Sequence, residues 1–250
     1  MRLNGEAPSP VSMVKEAYRW VDERSGLHGL VTGFFLRHIP FGVGWRYTVG
    51  FATLFVLINQ FVTGVLLSLY YSPTPDHAYA SVQFIMTEVM LGSVIRGLHH
   101  WGSSAMVALT FFHMAVVFVL GAYKYPRELT WVIGVLLLLV VIGLGFTGYL
   151  LPWDEKAYWA TTVGTNMTGT APYIGGFLLK VVRGGSELGA VTLTRFYSLH
   201  IVILPMFLLI LTALHMYLVV RQGVSVPPEL WEERQRKAAG KRSNGKEGAP

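Results

Sequence analysis

Four histidines lie inside long apolar stretches of the chain. His99 and His113 are 14 residues apart, and His200 and His215 are 15 apart. At about 1.5 Å of rise per residue, each pair covers about 21–22 Å of helix, most of the thickness of a bilayer's hydrocarbon. At about 100° per residue, 14 steps return to within about 40° of the start and 15 steps to within about 60°, so each pair shares a face. Ionisable residues at such depth are costly and mark function. Facing neutral imidazoles are the donors taken by a haem iron or another transition metal. Two such helices side by side would present one His–His pair near each membrane surface, a layout suited to carrying electrons across the membrane.

Glycine repeats at the same interval, with Gly50 and Gly64 on one apolar stretch and Gly134 and Gly148 on another. A missing side chain lets a flat macrocycle approach a helix backbone, so one glycine gap falls at each histidine level. Small residues also serve ordinary helix packing in membranes, and the histidine ladder is what favours the first reading. Of the adjacent His99 and His100, only one can share a face with His113. His99 lies about 40° off that face and His100 about 140°, which selects His99. His28, His38 and His77 fall outside the apolar stretches and read as surface residues. Arg96, Arg127 and Arg195 flank the presumed sites, either as partners for carboxylates of a cofactor or as interfacial anchors. Cysteine is absent, which excludes disulfides, thiolate ligation and iron–sulfur ligation.

The elements that must position these residues are membrane-spanning helices. Apolar residues make up 52% of the chain and charged residues only 14%, a balance that excludes an ordinary soluble α/β domain. Four runs are long enough to span, at about 47–70, 98–123, 130–151 and 196–220. The first is expected to act as the insertion signal, with no cleavable leader before it. Residues 1–49, the turn Lys124–Glu128 and the tail after Val220 hold 15 of the 20 Lys and Arg. With four spans these segments share one side, and the excess of positive charge puts both termini in the cytoplasm. The sequence thus divides into a cytoplasmic N-terminal segment (1–45), a four-helix domain (46–225) and a charged tail (226–250), expected to be disordered and to need no nucleic-acid partner. Val14, Tyr18 and Val21 lie at helical spacing within Val11–Arg24, which reads as an amphipathic helix on the membrane surface or an ordinary solvated one. Tyr79–Met90 carries enough apolar residues for a further surface helix. The connection from Pro152 to Thr194 is long enough to carry function. Pro152 and Asp154 mark a stop and a new cap there, with short helices expected at Glu155–Val163 and Phe177–Val182.

These residues resemble one family, the short, split form of cytochrome b, over about residues 35–225. The strings that carry the resemblance are Tyr70-Tyr71-x-Pro73-Thr74, Arg96-Gly-x-His99-x-Trp101, Pro126-Arg-Glu-Leu-Thr-Trp131, Gly145-Phe-Thr-Gly-Tyr-Leu-Leu-Pro-Trp-Asp154, Leu193-Thr-Arg-Phe-Tyr-Ser-Leu-His200, and His215 followed by Arg221-Gln-Gly223. The 15-residue spacing of His200 and His215 is similar to the split form, whereas the long form usually has 14. The resemblance implies an all-α integral membrane fold, a four-helix haem-binding bundle. It implies a low-potential haem b held by His99 and His200 on the external side and a high-potential haem b held by His113 and His215 on the cytoplasmic side, with Arg96 and Arg127 near their edges. It also implies quinol oxidation outside, quinone reduction inside and coupled proton translocation. Tyr158, Trp159 and Ala160 become candidate lining of the external quinol pocket. The partners implied are a three-span companion subunit carrying a Pro-Glu-Trp-Tyr segment, a Rieske iron–sulfur protein and a c-type cytochrome or plastocyanin-like acceptor. The assembly implied is a dimeric complex in a bacterial plasma membrane rather than a thylakoid-type one.

Two departures bear on the cofactors. Split-form relatives often attach a third haem through a cysteine near the start of the first span, where this chain has Thr48. They also tend to carry Arg-Lys-Gln-Gly after the last span, where this chain reads Val220-Arg221-Gln222-Gly223. Two haems b are therefore expected, with none covalently attached. The internal quinone site is expected near Arg221, Asn59 or N-terminal residues. Two other readings are a dihaem membrane anchor of a dehydrogenase or hydrogenase and a histidine-based metal transporter. The Pro152-Trp153-Asp154 loop and the regular ladder argue against the anchor. The lack of Asp or Glu at depth argues against the transporter.

Overall fold

A computed structural model of the protein describes residues 9–26 and 44–223, together with 28, 29, 32, 33, 36 and 225. His38 and the tail from 226 onward lie outside the described residues. Two units separate at residues 41 and 42. In the first, α1 (Pro10–Ser25) begins where Ser9 accepts the Ser12 N–H at 3.2 Å, with Pro10 at its first position, as expected of a helix start. It ends at Gly26, whose left-handed φ of 61° returns its N–H to the Asp22 carbonyl. His28 is exposed and hydrogen-bonds Tyr18 at 2.8 Å.

The described part of the second unit is helical, without strands. A 3₁₀ turn (Trp45–Thr48) leads into α2 (Val49–Ser68), followed by a surface helix α3 (Ala78–Thr87) and by α4 (Gly92–Val119). After a turn comes α5 (Glu128–Leu150), then α6 (Glu155–Gly169) and α7 (Gly175–Arg183). The last span runs through α8 (Ala190–Ser198), a π turn (Leu199–Ile203) and α9 (Leu204–Gln222). The helices at Val49–Ser68, Gly92–Val119, Glu128–Leu150 and Ala190–Gln222 are long and apolar enough to cross a membrane. In lipid every backbone group must be satisfied within the chain, and uninterrupted helices do this. No more than 17% of any span is buried inside the chain, so most of each apolar surface faces outward, as for helices apolar all round.

The expected and observed spans differ most at the second and fourth. α4 starts six residues upstream of the apolar run, because Leu91 turns with a positive φ of 61° and Gly92–Arg96 already wind as helix. It stops at Val119, since Gly121 takes a φ of 62°. The fourth begins at Ala190, and Arg195 lies inside it.

α2 packs along α4, and α5 along α9, with α4 and α5 joining the two pairs. The buried core takes one residue from each span: Leu57, Met106, Val141 and Leu208. Leu57 lies seven residues from both Gly50 and Gly64, and Met106 seven from both His99 and His113. Val141 lies seven from both Gly134 and Gly148. The apolar core is therefore the layer between the two histidine levels. Leu208 lies seven residues before His215 but eight after His200.

Candidate functional site

The four glycines each face one of the four histidines. A Cβ on Gly64 would lie 3.2 Å from Cε1 of His99, and one on Gly148 would lie 2.5 Å from Cε1 of His200. At the other level, Gly50 faces Cε1 of His113 at 2.9 Å and Gly134 faces that of His215 at 3.6 Å. The glycines on α2 thus admit the histidines of α4, and those on α5 admit the histidines of the last span. An imidazole ring lies against each of the four gaps.

At the external level two threonines complete the site. Thr63 Oγ1 lies 2.9 Å from Nδ1 of His99, and Thr147 Oγ1 lies 3.1 Å from Nδ1 of His200. The Thr63 hydroxyl donates to the Asn59 carbonyl at 2.6 Å and the Thr147 hydroxyl to the Gly143 carbonyl at 2.8 Å. With its one proton so used, each hydroxyl accepts from the histidine. Nδ1 is then the protonated nitrogen, and Nε2 keeps a free lone pair. These threonines escaped the sequence reading. Their signal is the dipeptide Thr-Gly at 63–64 and at 147–148, where the internal level has Val49-Gly50 and Ile133-Gly134.

The ring centres of His99 and His200 stand 6.3 Å apart with planes at 81°. An in-line imidazole–metal–imidazole unit spans about 6 Å, at about 2 Å per bond and about 1 Å from ring centre to nitrogen. Nδ1 of His215 is buried with no hydrogen-bond partner. Among the described residues no group of three or more His, Cys, Asp or Glu gathers to hold a bare metal ion. Two neutral imidazoles per level therefore suit a metal that brings its own equatorial ligands, as a haem does.

His100 is exposed at the surface beside Trp101, as the angular argument expects. His77 is exposed ahead of α3. Arg96 donates to Met86 Sδ at 3.6 Å, Arg127 Nε to the Gly223 carbonyl at 3.1 Å, and Arg195 to the Val181 carbonyl. Asn59 lies at mid-depth in α2, where its amide donates to the Leu98 carbonyl at 3.2 Å. That bond is next to His99, which removes Asn59 from the internal surface.

On the external side, Asp154 caps α6 by accepting the Ala157 N–H at 2.8 Å, which the sequence predicts. Trp153 ahead of it holds a φ of 50°, a conformation that bulky residues rarely adopt and that clusters at functional sites. Its ring meets Tyr158 edge-on at 6.0 Å, and Tyr158 meets Trp159 at 5.7 Å, both of the latter rings being exposed. Ala160 follows, partly buried. Tyr71 ties this turn to the rest by donating to the Leu151 carbonyl at 2.6 Å, and its ring packs on Tyr197 at 5.4 Å. Burial, with Tyr197 adding to it, pushes the Tyr71 phenol above the ordinary tyrosine range, so it remains a donor. Arg183, also unremarked in the sequence, is buried between α6 and α8. It donates to Thr165 Oγ1 and Asn166 Oδ1 at 2.8 Å each, and its carbonyl accepts from Thr192.

Residues 36–223 match the family model described as Cytochrome b/b6/petB. The chain is 41% identical over 211 residues to "Cytochrome b6" of Trichodesmium erythraeum, covering 84% of this chain and 95% of that protein. It is also 41% identical over 223 residues to "Menaquinol:cytochrome c reductase cytochrome b subunit" of Geobacillus thermodenitrificans, covering 86% and 100%. A chain of the solved structure "Hyperthermophilic respiratory Complex III" superposes with a TM-score of 0.76 at 32% identity, covering 84% of this chain. This chain spans 56% of the length of that one.

Proposed function

The chain belongs to the cytochrome b family, and from that premise we propose that it is the dihaem subunit of a quinol:cytochrome c (or plastocyanin-like acceptor) oxidoreductase. It moves electrons across the membrane from an external quinol-oxidation site to an internal quinone-reduction site, coupled to proton translocation. His99 and His200 hold the external, low-potential haem b, and His113 and His215 the internal, high-potential one. A haem held by the two imidazoles of each level would supply one-electron redox chemistry. The residues of the chain do the rest. Gly64 and Gly148 clear space for the external imidazoles, while Thr63 and Thr147 hold their Nδ1 protons so that Nε2 faces the site. Arg96 and Arg127 are cationic partners for the cofactor edges.

The observation that carries this reading is the two-level match of four glycines to four histidines, with a 6.3 Å His99–His200 separation at one level. Thr48 stands where a thioether cysteine would be needed, and its hydroxyl donates to the Trp45 carbonyl. The cofactors are then two haems b, neither covalent. Tyr158, Trp159 and Ala160 line the external quinol pocket. A companion three-span subunit carrying a Pro-Glu-Trp-Tyr segment completes that pocket, alongside a Rieske protein and a c-type cytochrome, in a dimeric complex. The setting is a bacterial plasma membrane with both termini cytoplasmic and α1 lying on the inner lipid surface. The test is purification of the native complex. Two haems b per chain, extractable by acidified solvent, with the three-span and Rieske partners present, support the proposal. A haem-free chain, or one bound only to a peripheral dehydrogenase, overturns it.

A further inference from the structure

The fourth span holds one residue more than its three neighbours between the two histidine levels, and its position can be located. Every step from a level residue to the core layer is seven residues long, on all four spans, except the step from His200 to Leu208, which is eight. The π turn at Leu199–Ile203 lies in that same step, and there the Leu204 N–H reaches back five residues to the Leu199 carbonyl. A π turn holds one residue more than the α turn it replaces. Pro205 follows directly, and having no N–H it offers nothing to the Ile201 carbonyl that would restore α winding.

We infer that the π turn is a register device, and that Leu199–Ile203 with Pro205 position His200 and His215 by absorbing the surplus residue between them. In a regular helix 15 steps would set the two rings about 60° apart, turned to the opposite side from the about 40° offset of His99 and His113. With one residue taken up in the bulge, the interval winds as 14, and both ladders turn alike. His200 can then meet Gly148 while His215 meets Gly134 on the same neighbouring helix. The inference rests on the proposed haem ligation.

The test compares single-residue deletions in the native complex, read by reduced-minus-oxidised spectra. Val202 lies in the π turn and Ile210 in regular α-helix beyond the core layer, and both side chains are exposed. Deleting Val202 restores seven-residue steps throughout and is expected to leave both b-type components. Deleting Ile210 leaves the bulge in place, cuts the step from Leu208 to His215 to six, and turns His215 by about 100°. That variant is expected to lose the internal component and keep the external one. Deletion of Ile203 is expected to match deletion of Val202. Loss of a component in both π-turn deletions, or retention of both components without Ile210, overturns the inference. His215→Ala separates the two claims, because retention of the internal component there contradicts the ligation itself.

Discussion

Gly148 and His200 stand in the tightest of the four glycine–histidine contacts, with space for a Cβ only 2.5 Å from Cε1 and 3.1 Å from Nε2 of the ring. A Cβ at 148 forces the imidazole to shift, so the glycine sets where the histidine stands. Gly148→Ala is expected to displace His200 at an overpacking cost of about 1–3 kcal/mol, equivalent to about 5- to 150-fold weaker haem retention. The contacts at Gly50 (2.9 Å) and Gly64 (3.2 Å) are progressively looser, and at Gly134 (3.6 Å) an alanine makes ordinary contact. Haem content of the four alanine variants should follow that order, with Gly134→Ala close to the parent. Equal losses at all four positions would show that the glycines serve helix packing generally.

Thr63 and Thr147 accept the Nδ1 protons of the external histidines. A hydrogen bond to the far nitrogen makes an imidazole a stronger donor, which favours the oxidised metal. Thr63→Val and Thr147→Val, which keep the shape and remove the hydroxyl, are each expected to raise the midpoint potential of the external component and leave the internal one in place. Thr63→Ser should stay near the parent. Redox titration of the membranes provides the check, and an unmoved external potential in both valine variants contradicts the role.

Arg183 brings a buried guanidinium to neutral acceptors on α6 and to the Ser186 carbonyl. Replacing it by Met removes the donor to the buried Thr165 Oγ1, at about 1–3 kcal/mol. Amide hydrogen exchange in residues 155–198 should quicken while both haem components persist. Unchanged protection there would mean that Arg183 does not hold the external helices together.

The sequence carried the membrane spans and the histidine ladder plainly, because hydropathy and a 14-residue interval are properties of one helix at a time. His99 was separable from His100 on the same ground. Features set by a neighbouring helix were harder to read. The glycine interval was visible, but the group filling each gap depends on how closely α2 and α5 approach the histidine helices. The threonine contacts also cross between helices, although the Thr-Gly dipeptides at 63–64 and 147–148 mark them in retrospect. The π turn was present as a 15-residue spacing, whose location emerges only once Leu208 is seen in the core layer. Arg183 gave no signal, since a basic residue at the end of an amphipathic segment reads as solvated until α6 and α8 close over it. Asn59 was misplaced because a polar residue in a span says nothing about depth until its partner, the Leu98 carbonyl, is known.

The central claim is that two pairs of histidines hold two separate haems, one near each membrane surface. Reduced-minus-oxidised spectra and redox titration of His99→Ala and His113→Ala complexes test it most directly. His99→Ala is expected to lose the low-potential external component alone, and His113→Ala the high-potential internal component alone. Retention of both components in either variant, or loss of the external one in His100→Ala with His99→Ala intact, would contradict it.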